Sequence, residues 1–66
     1  MNVILKRAGG DTEIFRNLEE AKAAGENYDA QGIEFKIDVY SSDGQPGPVK
    51  THRYTDDPKV WVCSDN

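Results

Sequence analysis

The sequence predicts an α+β fold: an antiparallel sheet of four to five strands with one helix packed on one face, in the order ββαβββ. Three observations lead there. Ile33, Phe35, Ile37 and Val39 alternate with Glu34, Lys36, Asp38 and Tyr40, the pattern of a strand with one apolar and one wet face. Asn17-Leu18-Glu19-Glu20 has the form of a helix start, with a capping residue and a glutamate three positions on. The connections are short and rich in Gly, Pro, Asp and Ser, which favours antiparallel neighbours.

Val3-Ile4-Leu5 forms the heart of a first strand, and its lack of polar alternation suits a strand covered on both faces. Gly9-Gly10-Asp11 turns the chain and Thr12-Glu13-Ile14-Phe15 returns, so residues 2–16 read as a hairpin. Leu18, Ala21, Ala24, Gly25 and Tyr28 share one narrow face of mostly small residues, which lets a helix lie close on a sheet. Gly25 can end that helix early. The favoured span is 18–30, with Gly32 as the stop. Residues 41–48 hold two Gly and two Pro and form a loop. Val49 to Thr55 returns as a strand, Thr55-Asp56-Asp57-Pro58 turns, Val60 to Cys63 closes the sheet, and Ser64-Asp65-Asn66 frays.

At 66 residues the chain fits one domain, 1–66, with a single small core. One cysteine excludes an internal disulfide, and one cysteine with one histidine excludes a zinc-finger ligand set. That usage suits a reducing compartment such as a bacterial cytoplasm. The opening Met1-Asn2-Val3-Ile4-Leu5-Lys6 is too short for a signal peptide, and no stretch approaches a membrane helix.

Candidate chemistry is sparse. His52 and Cys63 fall where two adjacent strands place a base near a nucleophile. The simpler reading has Cys63 packed as a small hydrophobe and His52 in solvent. Asp56, Asp57, His52 and Cys63 include metal-ligating types, but Asp-Asp-Pro is first of all a turn. Gly9-Gly10 lacks the spacing of a phosphate-binding loop. No enzyme activity, metal or cofactor is expected. Parity places Trp61 on the face opposite Val60 and Val62. The favoured assignment turns the valines to the core and puts Trp61 with Tyr40 on an open, binding face; the other makes Trp61 core.

Charge points to a partner. Asp and Glu number 12 against 8 Lys and Arg, for a net charge of −4. Direct nucleic-acid binding needs a basic face, so this balance favours a basic protein partner, or solubility alone. Glu19, Glu20, Glu26 and Asp29 oppose Lys22 alone over residues 17–30; Glu34 and Asp38 sit two pleats apart; Asp56 and Asp57 mark a turn. Converging, they would attract a basic groove. Apart, they are a solvated helix face with cap-stabilising glutamates. Lys50, His52, Arg53 and Lys59 suggest that one side is mixed or basic.

The N-terminal strand, the Leu18-Glu19-Glu20-Ala21-Lys22 helix opening, the alternating strand after a glycine and the closing Trp61-Val62-Cys63 strand resemble the small phage-encoded anti-CRISPR proteins that inhibit type I systems. The acidic balance suggests the type I-C or I-F inhibitors. The resemblance implies inhibition without catalysis: binding to a Cas protein or crRNA-guided surveillance complex at the basic surface that receives target DNA, in the manner of a DNA mimic. Charge clustering nominates Glu19, Glu20, Glu26 and Asp29 as contacts, then Glu34 and Asp38, with Tyr40 and Trp61 as aromatic anchors. The alternative is a small phage or bacterial structural or accessory protein, such as a homodimer joined at an exposed sheet edge.

Overall fold

The computed structural model describes residues 2–44 and 46–65. Met1, Gln45 and Asn66, to which the N-terminal, loop and fraying expectations extend, lie outside the described residues. The elements are β1 (Asn2–Arg7), β2 (Thr12–Phe15), α1 (Leu18–Ala30), β3 (Phe35–Tyr40), β4 (Lys50–Tyr54) and β5 (Trp61–Asp65). All strand pairs are antiparallel, in the spatial order β2-β1-β3-β4-β5. The fold is α+β, as the sequence predicts. β2 and β5 are its edges.

The local chemistry of α1 explains both its ends. The Asn17 side-chain oxygen accepts the Glu20 backbone N–H at 2.9 Å, and Glu19 and Glu20 occupy the positive end of the helix dipole. At the other end the Gly32 N–H donates to the Asp29 carbonyl and the Ile33 N–H to the Tyr28 carbonyl, both at 2.9 Å. This two-bond cap needs a left-handed residue, and Gly32 supplies it at φ 76°. The cap uses Ile33, so β3 starts at Phe35 rather than at Ile33.

The core lies between α1 and the sheet. Val3, Leu5, Ile37 and Ala21 are fully buried, and Val39 nearly so. Each of the three largest contributes about 1.5–3 kcal/mol by burial. Phe15, Leu18, Ala24, Tyr28, Phe35 and Trp61 close the margins. Gly25 lies inside the helix and does not end it. A Cβ built there would stand 2.5 Å and 2.6 Å from the Phe35 ring and 3.1 Å from that of Trp61.

Four expectations are corrected. Trp61 lies on the helix side of the sheet, not on the open side with Tyr40. In register with Tyr54, its ring lies 4.8 Å from Tyr54 and edge-on to Phe35 at 5.8 Å. The small residues of α1 leave room there that a valine would not fill, and Val60 and Val62 are instead exposed. Asp38 is on the open face but buried, because Lys6, Thr51 and Tyr40 cover it. His52 is buried and Cys63 exposed, the reverse of the simpler reading. His52 sits on the helix side of interior strand β4, whereas Cys63 is on the edge strand β5. Ser64 and Asp65 belong to β5 rather than fraying, since they pair with Thr51 and Lys50.

In an exposed helix, Gly to Ala stabilises by about 1 kcal/mol. At Gly25 overpacking against Phe35 costs about 1–3 kcal/mol, so Gly25→Ala is expected to lower stability by about 1 kcal/mol net. Urea denaturation with a constant slope checks this; a stabilised variant would show that α1 and Phe35 are not in close contact.

Candidate functional site

The eight nominated residues do not form one surface. Glu19 and Glu20 are exposed on the first turn of α1. Glu26 is exposed one flank further on, where it accepts the Trp61 indole N–H at 3.3 Å. Asp29 is 15 % exposed and ion-paired with Lys59 of the β4–β5 loop. Glu34 is exposed just before β3, and its carbonyl accepts the Ala8 N–H. Asp38 and Tyr40 are on the far side of the sheet. Asp38 therefore does not converge with the acidic residues of α1, because it lies on the opposite side of the sheet.

The flanks of α1 explain the arrangement. Lys22, Glu26 and Asp29 fall at i, i+4 and i+7, one stripe of the helix facing β5 and the loop before it. Lys22 lies 5.4 Å over the Trp61 ring, and Lys59 lies 5.9 Å over that of Tyr54. Asp29 raises the Lys59 pKa through its hydrogen bond, with the Asp56 charge adding to it. On the opposite flank Arg7 donates to Glu13 at 2.8 Å and to the Tyr28 hydroxyl, which in turn donates to Glu13. The Glu13 bond raises the Tyr28 pKa, and burial adds to it. This second cluster carried no sequence signal. Its members come from three elements and meet only once the helix is docked.

The open face of the sheet has the opposite sign. Alternation and register put Lys6, Lys36 and Arg53 there with Asp38. Asp38 bonds Lys6 at 2.7 Å and accepts the Thr51 hydroxyl at 2.9 Å, while Lys6 also donates to the Tyr40 hydroxyl at 2.8 Å. Burial pushes the Asp38 carboxyl up, but the Lys6 and Thr51 hydrogen bonds and the charges of Lys6 and Lys36 outweigh it, so its pKa lies below the usual range. Asp38 in turn raises Lys6. The basic side suggested by Lys50, His52, Arg53 and Lys59 is thus differently built: only Arg53 lies on it.

His52 and Cys63 pair across β4 and β5, with Nε2 and Sγ 3.8 Å apart. Burial lowers the His52 pKa, and the nearby charges of Lys22 and Lys50 lower it further. A neutral imidazole beside a thiol is the right pair for a base and nucleophile, but Cys63 lies exposed on an edge strand where bulk water has access. Asp56 and Asp57 sit in the β4–β5 loop. Among the described residues no three His, Cys, Asp or Glu side chains gather to hold a metal, and no helix is long and apolar enough to cross a membrane. Compared with known proteins, the chain matches no family model, no curated protein and no solved structure.

Two acid-labile contributions follow. A folded-state pKa below the unfolded one stabilises at high pH and loses that contribution as pH falls. His52 should therefore cost stability below about pH 6.5, and Asp38 below about pH 4. Thermal melts from neutral to acid pH should show both losses. His52→Gln should remove the first and Asp38→Asn the second, with Asp38→Asn losing about 2 kcal/mol at neutral pH. Unchanged profiles would contradict the assignments.

Proposed function

We propose that this chain is a non-catalytic inhibitory binding protein. The outer surface of α1 engages a basic surface of a nucleic-acid-handling partner and keeps nucleic acid from it. Within the resemblance drawn above, that partner is a Cas protein or crRNA-guided surveillance complex of a type I-C or I-F system, in the bacterial cytoplasm.

One observation carries the reading. Lys22 is the only cation of α1, and its ammonium lies over the Trp61 ring; among the described residues Glu19, Glu20 and Glu26 make no ion pair. These three span about 10 Å of helix axis, over which duplex DNA presents about six phosphates. The helix therefore carries roughly half the charge density of DNA over that length. Competition is then local, at a lysine- or arginine-lined patch, rather than mimicry of a whole duplex. Asp38 has no part in it, since its charge is spent on Lys6. The unmatched basic face of the sheet points away from such a partner.

The second reading, a homodimer, is favoured by β5. This edge strand is paired only with β4 among the described residues, and its Val62 is 45 % exposed. An unpaired edge with exposed apolar side chains is suited to strand addition.

One experiment separates the two. Labelled target DNA is loaded on purified type I-C and type I-F surveillance complexes while this protein is titrated. Wild type is expected to block loading, less so as salt rises from about 50 to 200 mM. Glu19→Gln/Glu20→Gln/Glu26→Gln is expected to block about tenfold less well, from three exposed pairs at up to about 1 kcal/mol each. No block in either complex, together with a dimer by sedimentation that the triple variant retains, would favour the edge-strand reading.

A further inference from the structure

Between the C-terminal end of α1 and the β4–β5 loop lies a groove of about 410 Å³. Its walls carry Asp29 of α1, Glu34 and Phe35 at the start of β3, Tyr54 at the end of β4, and Asp56 and Lys59 of the loop. Arg53 borders it from the open side of the sheet. Three carboxylates face two cations, so the groove keeps a negative excess. The last turn of α1 contains no basic residue, so the negative end of the helix dipole adds to that excess.

The three carboxylates are not equivalent. Asp29 is mostly buried and ion-paired with Lys59. Among the described residues, Glu34 and Asp56 make no ion pair and no side-chain hydrogen bond. The groove already holds one cation of the chain's own. The Lys59 ammonium reaches Asp29 and lies over the Tyr54 ring, yet its side chain is 58 % exposed. It is a tethered occupant at the mouth of the groove, held by one charged bond and one ring contact.

We infer that this groove receives an arginine side chain from a basic protein partner, and that Lys59 is the internal placeholder that the arginine displaces from Asp29. A guanidinium suits the groove better than a second ammonium. Its planar fork bonds a carboxylate through two N–H groups while its face lies on an aromatic ring. The groove offers the Glu34 and Asp56 carboxylates, which make no ion pair among the described residues, beside the Tyr54 ring that Lys59 now covers. A phosphate would meet three carboxylates there, which excludes a nucleic-acid strand as the occupant. The inference rests on the reading that the partner is basic, and it supplies the anchor that reading lacks.

The test uses the isolated chain and a defined probe. Isotope-labelled protein is titrated with N-acetyl-arginine amide at low salt and followed by NMR, with N-acetyl-lysine amide for comparison. Shifts are expected at the backbone amides of residues 32–35 and 54–57, larger and at lower concentration for the arginine probe. Lys59→Gln removes the competitor and should tighten binding about two- to fivefold. Glu34→Gln/Asp56→Asn should weaken it at least about fivefold. All three residues are exposed, and unchanged peak dispersion confirms that the variants fold. Shifts scattered over the whole acidic surface, equal responses to both probes, or weaker binding by Lys59→Gln would overturn the inference. Arginine binding in the groove with no block of DNA loading supports the groove and removes the proposed function. A block of loading by a chain whose groove ignores the arginine probe overturns the groove alone.

Discussion

The absent side chain at Gly25 sets the spacing between α1 and the sheet, and much of the molecule depends on that spacing. With only backbone at this position, the Phe35 ring reaches the helix, and Trp61 packs against Phe35 from the next flank. Trp61 ties β5, an edge strand that α1 hardly overlies, to the rest of the fold. It also draws Lys22 and Glu26 to its side of the helix. The charge pattern of the helix is thus shaped by core packing: the ring that closes the core also holds the one cation of α1 and the Glu26 carboxylate on the same flank.

A chain this short buries little apolar surface, and its few core residues are helped by polar ties on both sides of the sheet. On the helix side, Arg7, Glu13 and Tyr28 fasten one flank and Asp29 with Lys59 the other. On the open side, Asp38 is the hub. A carboxylate buried in the middle of a sheet face is costly unless it is fully bonded, and Lys6 and Thr51 meet that condition. Lys6 spans the interior and the solvent, with its stem over the sheet and its ammonium shared between Asp38 and Tyr40.

Local signals were legible in the sequence and long-range ones were not. The cap at Asn17, the stop at Gly32 and the alternation of β3 depend on residues close in the chain, and α1 occupies the expected span. The parity of β5 was not legible, because Val60-Trp61-Val62 alternates equally well either way. The deciding contacts, with Phe35 and Tyr54, lie outside that segment. Asp38 reads as a wet-face residue for the same reason: its partners Lys6 and Thr51 are 32 residues before it and 13 after it. The acidic density of α1 was legible as composition, but the pairing of Asp29 with Lys59 was not, since a loop 30 residues away makes it.

The two layers carry opposite charge. The outer surface of α1 presents Glu19, Glu20 and Glu26, and the open face of the sheet presents Lys6, Lys36 and Arg53 around a neutralised Asp38. A basic partner should therefore see the helix, and an acidic one the bare sheet. The most direct measurement is NMR mapping of the chain with a polycationic peptide and, separately, a polyanion of similar length, at low salt. The account predicts that the polycation shifts amides on the exposed side of α1 and leaves β1 and β3 unchanged, while the polyanion does the reverse. Both polymers acting on the same surface, or the polycation acting on the open sheet face, would contradict it.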